Sequence, residues 1–179
     1  MLKVQINLPF KKGRFLFLMA PPSEGIIYGQ SKLGARVFRN GKRYNPKLDD
    51  LGIISKRVIT TAGVNYIRDD LAAAAGGADI TNFKYHGSGT GVGAEAIGDT
   101  ALGTEVETRS TGTQVAFASK QYQTVATISY TGTRAITEHG IFSASTVGTL
   151  LDRSVFSAIN VLSGDAIQFT YTLSLSDGG

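Results

Sequence analysis

The segment Ile167-Gln168-Phe169-Thr170-Tyr171-Thr172-Leu173-Ser174-Leu175 alternates apolar and polar residues without a break. A strand turns successive side chains to opposite faces, so this stretch offers one face to a core and the other to water. The period of two recurs upstream. Residues 80–86 put Phe83 and Tyr85 on one side, and residues 105–108, 113–119, 122–131, 135–142 and 149–156 repeat the pattern in shorter form. Turn residues separate them, with Gly164-Asp165 ahead of the last strand. Seven or eight short strands of this kind predict an all-β fold, an antiparallel β-sandwich that is jelly-roll-like or immunoglobulin-like.

One short helix interrupts the strands. Val64, Ile67, Leu71, Ala74 and Ala75 fall on one face of a helix over residues 63–75. Thr60 or Thr61 is placed to cap its start, and Gly76-Gly77 to close its end.

Charge divides the chain in two. Residues 1–57 carry 12 Lys/Arg against 3 Asp/Glu, and residues 58–179 carry 6 against 11, within a net charge of +4. The first part has no sustained periodicity beyond Leu2, Val4, Ile6 and Leu8, a short strand stopped by Pro9. These features predict an extended basic N-terminal arm or peripheral lobe over 1–57, attached to a β-sandwich body over 58–179. Its basic residues Lys3, Lys11, Lys12, Arg14, Arg36, Arg39, Lys42 and Arg43 are interleaved with Phe15, Phe17 and Phe38. That mixture suits docking on an acidic protein surface. Binding nucleic acid through phosphate contacts and stacking is the less favoured use.

Targeting and membrane signals are weak. Lys11, Lys12 and Arg14 ahead of Phe15–Ala20 loosely copy a secretory leader, but the apolar run falls short of the ~7–15 residues such leaders carry. No run reaches the ~18–20 apolar residues that span a bilayer.

Chemistry-bearing patterns are equally sparse. Cys is absent, which excludes disulfides and thiolate metal sites. His86 and His139 are the only histidines, and a zinc set built from them with Glu138 or Asp99 has no diagnostic spacing, so structural histidines are expected. Gly87-Ser88-Gly89-Thr90-Gly91-Val92-Gly93 looks like a phosphate cradle but lacks the Gly-Lys-Ser/Thr of a P-loop, and a wide flexible turn is expected there. No Gly-x-Ser-x-Gly elbow sits between a strand and a helix. The sequence therefore predicts a non-enzymatic protein with no cofactor and no metal. Glu138 and Arg153 lie on neighbouring predicted strands, placed to pair across them, and Gly140 permits a bend or bulge between.

Three stretches carry a resemblance. They are Thr61-Ala62-Gly63-Val64-Asn65-Tyr66-Ile67; Phe83 to Gly91 with Ala94-Glu95-Ala96 and Gly98-Asp99-Thr100-Ala101-Leu102; and Ile136-Thr137-Glu138-His139-Gly140-Ile141-Phe142 through Leu150-Leu151-Asp152-Arg153-Ser154-Val155-Phe156, closing on Gly164 to Tyr171. Together they resemble tailed-phage virion proteins of the capsid decoration, cement or head-fibre type. The third also resembles domains of phage tail-fibre and collar proteins. The resemblance covers about residues 58–179. It implies a trimeric β-sandwich structural protein, assembled in the host cytoplasm and placed on the outer capsid surface. There it would bind the major capsid protein and stabilise the capsid, without membrane contact. A tail, collar or fibre adaptor is the alternative it leaves open.

Overall fold

The computed structural model of the protein describes residues 28–56, 58–71 and 79–176. Ten strands form two five-stranded antiparallel sheets that face each other as a sandwich. The first sheet runs in the order β2 (Asp50–Lys56), β1 (Tyr28–Phe38), β10 (Ala166–Ser176), β7 (Gln121–Ser129), β6 (Thr113–Ala118). The second runs β3 (Val58–Ile59), β9 (Leu150–Val161), β8 (Arg134–Phe142), β4 (Tyr85–Gly89), β5 (Glu105–Thr111). The all-β sandwich expected from the alternation is the observed architecture.

The core follows the period of two. On β10, Ile167, Phe169, Tyr171 and Leu173 are buried, while Leu175 remains 45 % exposed near the strand's end. Across the interior they meet Ile136, Ile141, Leu151, Phe156, Ile159 and Val161 from the second sheet. Burying each such side chain contributes about 1.5–3 kcal/mol, so this one layer carries most of the drive to fold.

The division of the chain at residue 57 does not hold. β1 lies between β2 and β10, paired with β10 from Tyr28↔Ser176 to Phe38↔Ala166. Its Leu33, Ala35 and Val37 are buried in the common core, and Lys32 and Arg36 point outward. Lys32 and Arg36 therefore mark the wet face of a core strand, and Arg39, Lys42, Arg43 and Lys47 follow in its connection to β2, so residues 28–56 are not an arm. Of the residues assigned to the arm, Lys3, Lys11, Lys12, Arg14, Phe15 and Phe17 lie outside the described residues. Deleting residues 1–57 removes an interior strand, and that variant is expected to lose its cooperative thermal transition by circular dichroism. A sharp melt in the truncated protein would contradict the position of β1.

The helix starts two residues earlier than expected, and its packed face is rotated. α2 spans Thr61–Leu71, following a four-residue α1 at Pro46–Asp49. Thr60 supplies the cap: its Oγ1 accepts from the Gly63 N–H at 3.0 Å and donates to the Leu150 carbonyl. Gly63, Tyr66 and Ile67 face the sandwich, while Val64 is 54 % exposed. The helix docks so closely that a Cβ on Gly63 would lie 2.7 Å from Leu151 Cα. Ala74 and Ala75 lie outside the described residues.

Each edge strand carries a feature that discourages further strand pairing. β2 shows two register shifts against β1 and has Gly52 at φ +60°. β6 is bulged between Ala116 and Ala118. β5 is irregular opposite Gly87, with Glu107 at φ +59°. β3 is two residues long. Bulges twist an edge away from a flat ladder.

Candidate interaction surface

The connection from β1 to β2 builds a basic, partly apolar rim at one end of the sandwich. A turn closes it first, with the Lys42 N–H donating to the Arg39 carbonyl at 3.1 Å. Asn45 then caps α1, accepting from the Lys47 N–H, with Pro46 at the first helical position. Phe38 and Tyr44 stack with centroids 5.3 Å apart. Leu48 (74 %) and Phe38 are exposed in or next to this connection, as are Lys42, Arg43 and Lys47, and Leu51 and Ile53 (62 %) are exposed on the β2 strand that follows. The rim continues along the outer face of the first sheet into a shallow depression of ≈240 Å³ lined by Lys32, Gly34, Ile53, Gln121, Thr170, Thr172 and Ser174.

The residues assigned to partner binding divide here. Lys42, Arg43 and Phe38 are exposed on the rim. Arg36 is exposed but pairs with Asp50 at 3.0 Å. Arg39 is committed inward: its Nη1 donates to Asp165 Oδ2 at 2.9 Å and to the Asn160 carbonyl. Asp165 also accepts the N–H groups of Asn40 and Leu162. Burial alone would raise the Asp165 carboxyl, but those N–H donors and Arg39 outweigh it and hold it below the usual carboxylate range. Arg39 thus anchors the rim to the β9–β10 turn.

The glycine-rich run is not a flexible turn. Gly87, Ser88 and Gly89 are buried inside β4 between β5 and β8, and Gly91 lies just beyond. Its resemblance to an anion cradle has a physical basis, because the anion belongs to the same chain. The Glu138 carboxylate accepts from the N–H groups of Gly91 (2.9 Å), Gly103 (2.9 Å) and Thr104 (2.7 Å). A Cβ on Gly89 or Gly91 would come within 2.5 Å of Glu138 Oε1, so only glycine lets the loop close over it.

Arg153 completes this cluster. It donates from Nε (3.0 Å) and Nη2 (2.8 Å) to Glu138 Oε2, and from Nη1 to Asp99 Oδ2 at 2.9 Å. Its Nη2 also reaches the Gly93 carbonyl at 3.1 Å. Burial pushes the Glu138 carboxyl upward, but the three N–H donors and Arg153 more than offset it, leaving the carboxyl below its ordinary range. The pairing suggested by the sequence is therefore present, with Asp99 as a third member that sequence separation concealed. Gly140 serves close packing, not a bulge. The register shifts of β8 fall at Ile136/Glu138 and Ile141/Phe142, and a Cβ on Gly140 would lie 2.8 Å from Leu150 Cδ1.

The two histidines meet in the core. His86 Nδ1 and His139 Nε2 are 3.0 Å apart, and His86 Nε2 lies 3.1 Å from Thr124 Oγ1. His86 is fully buried and His139 is 1 % exposed, with its ring 4.5 Å from that of Phe169. Glu138 and Asp99 are engaged by Arg153 instead, and among the described residues no group of three or more His, Cys, Asp or Glu is placed to hold a metal. Among the described residues, no helix is long and apolar enough to cross a membrane. Comparison of the chain with family models, curated proteins and solved structures finds no match.

Proposed function

We propose that this chain is a non-enzymatic structural protein of a tailed-phage virion, a capsid decoration or cement protein that attaches through the β1–β2 rim to an acidic surface of the major capsid protein. The observation that carries the attachment surface is the rim itself, where Lys42, Arg43 and Lys47 are exposed in the same β1–β2 connection as Leu48, with Leu51 and Ile53 exposed on the adjoining β2. Charge gives such a surface its partner preference, and the apolar side chains give it buried area. The virion assignment rests on the resemblance of residues 58–179. The bulged edges support a unit that adds to a lattice by its side chains, without extending a sheet. Binding only the assembled shell favours that shell by mass action. A trimer is the oligomer that the resemblance implies.

The paired substitution Lys42→Glu with Arg43→Glu tests this reading. Both residues are exposed, so the fold should melt as before, while binding to purified capsids should weaken about tenfold or more. Unchanged capsid occupancy would remove the rim from the proposal. The tail, collar or fibre reading keeps one specific support, the resemblance of the third stretch, whose Glu138 and Arg153 form the buried ion pair. Quantifying the chain in purified virions separates the two: copies in the hundreds fit decoration, and a few per particle fit the tail.

A further inference from the structure

We propose that Asn40 is a site of spontaneous deamidation, an ageing modification set into the rim. Asn40-Gly41 is the only Asn-Gly pair in the sequence. Both residues are exposed, and they occupy the two central positions of the turn closed by Lys42 and Arg39. Gly41 sits at φ +68° with nothing within 4 Å of where a Cβ would stand. Glycine accepts either sign of φ at little cost, so no side chain at residue 41 opposes rotation of the peptide plane between residues 40 and 41. That rotation brings the Gly41 amide nitrogen toward the Asn40 side-chain carbonyl carbon.

The chemistry needs only water. The Gly41 nitrogen loses its proton and bonds to Asn40 Cγ. The Cγ–Nδ2 bond breaks and ammonia leaves, which closes a five-membered succinimide. Water then opens the ring at either carbonyl, giving aspartate or isoaspartate at position 40. No oxidant or reductant takes part.

The surroundings give the reaction a consequence. The Asn40 N–H donates to Asp165 Oδ1 at 2.7 Å, and the Asn40 amide nitrogen packs against Gly164. A new carboxylate therefore forms on a residue whose backbone is bonded to Asp165, the carboxylate that pairs with Arg39. Like charges at such a distance oppose each other. The isoaspartyl form also inserts a methylene into the backbone of the turn. Both changes loosen the Arg39–Asp165 anchor and lower the rim's positive charge by one. The effect on attachment rests on the function proposed above; the modification itself does not.

The test ages the full-length protein at pH 8 and 37 °C and follows the chymotryptic peptide from Arg39 to Tyr44 by mass spectrometry. The expected result is progressive exchange of the amide for a carboxyl at Asn40, with two isomeric products, one of them labelled by protein isoaspartyl methyltransferase. Asn40→Gln should abolish both signals. A native sample that stays amidated while a urea-unfolded sample converts would overturn the proposal, because the fold would then protect the site. Retention of fresh and aged protein on immobilised polyglutamate reads the consequence separately. Earlier elution after ageing is expected. Failure of fresh protein to bind would count against the acidic-partner reading and leave the modification standing, whereas equal retention of both forms would overturn the claimed effect on the rim.

Discussion

Replacing Arg153 with methionine is expected to destabilise the protein by about 3–5 kcal/mol, the range for removing one partner from a buried ion pair. The Arg153 side chain is 6 % exposed and that of Glu138 is fully buried. Methionine leaves Glu138 with three backbone donors and no counter-charge, and it strands Asp99 and the carbonyls of Gly93 and Ala94. The strap of residues 90–104 then loses the groups that hold it over the second sheet. For a chain of this length the loss corresponds to a fall in Tm of roughly 6–20 °C. Glu138→Gln should cost a similar amount, because an amide presents N–H groups to N–H donors. The two changes share one network, so the double variant should fall short of the sum by about 0.5–3 kcal/mol. Urea melts of the four proteins measure this. A single-variant loss under about 1 kcal/mol would show the pair behaving like an exposed one.

Acidification should weaken the fold well before its carboxylates titrate. Burial lowers His86 from its ordinary value of 6.5 to about 3. The unfolded chain takes up that proton below pH 6.5 and the folded chain does not, so stability is full above pH 6.5 and falls as pH drops toward 3. The slope is about 1.4 kcal/mol per pH unit for one such group, which amounts to roughly 2–3 kcal/mol by pH 4.5. Two neutral imidazoles satisfy the 3.0 Å contact as donor and acceptor, so the folded pair is complete without an added proton. Glu138, Asp99 and Asp165, all held low, contribute stability that is present above their ordinary values and is lost as pH falls through their lowered ones. The window between pH 6.5 and 4.5 therefore isolates the histidine effect. Urea denaturation across it should show the decline, and His86→Gln should flatten its share. An imidazole resonance of His86 that titrates near pH 6 in the folded protein would contradict the account.

The strands of the body are legible because burial on one face of a sheet imposes alternation on the chain itself. Ile167 to Leu173 shows it most clearly. β1 carries the same signal, with Ser31, Leu33, Ala35 and Val37 turned inward. It is harder to read because two of the four are small or polar and Gly29 and Gly34 punctuate the run. Local charge singles out Arg36, yet charge on the wet face of a strand says nothing about whether its other face is buried. The rim was visible in part: composition marked Lys42 and Arg43, and it could not reveal that Arg39 bonds to a carboxylate 126 positions away.

What the sequence determined alone is the fold class and the spacing of most strands, since those follow from the period of two and from turn residues acting locally. Only the tertiary structure decided the role of the glycines, the histidines and the ion cluster. Gly91 and Glu138 are 47 residues apart, His86 and His139 are 53 apart, and Asp99 and Arg153 are 54 apart. A short stretch of chain specifies its own backbone preferences, but which carboxylate fills a cradle of N–H groups is set by the register of strands brought together from distant parts of the chain.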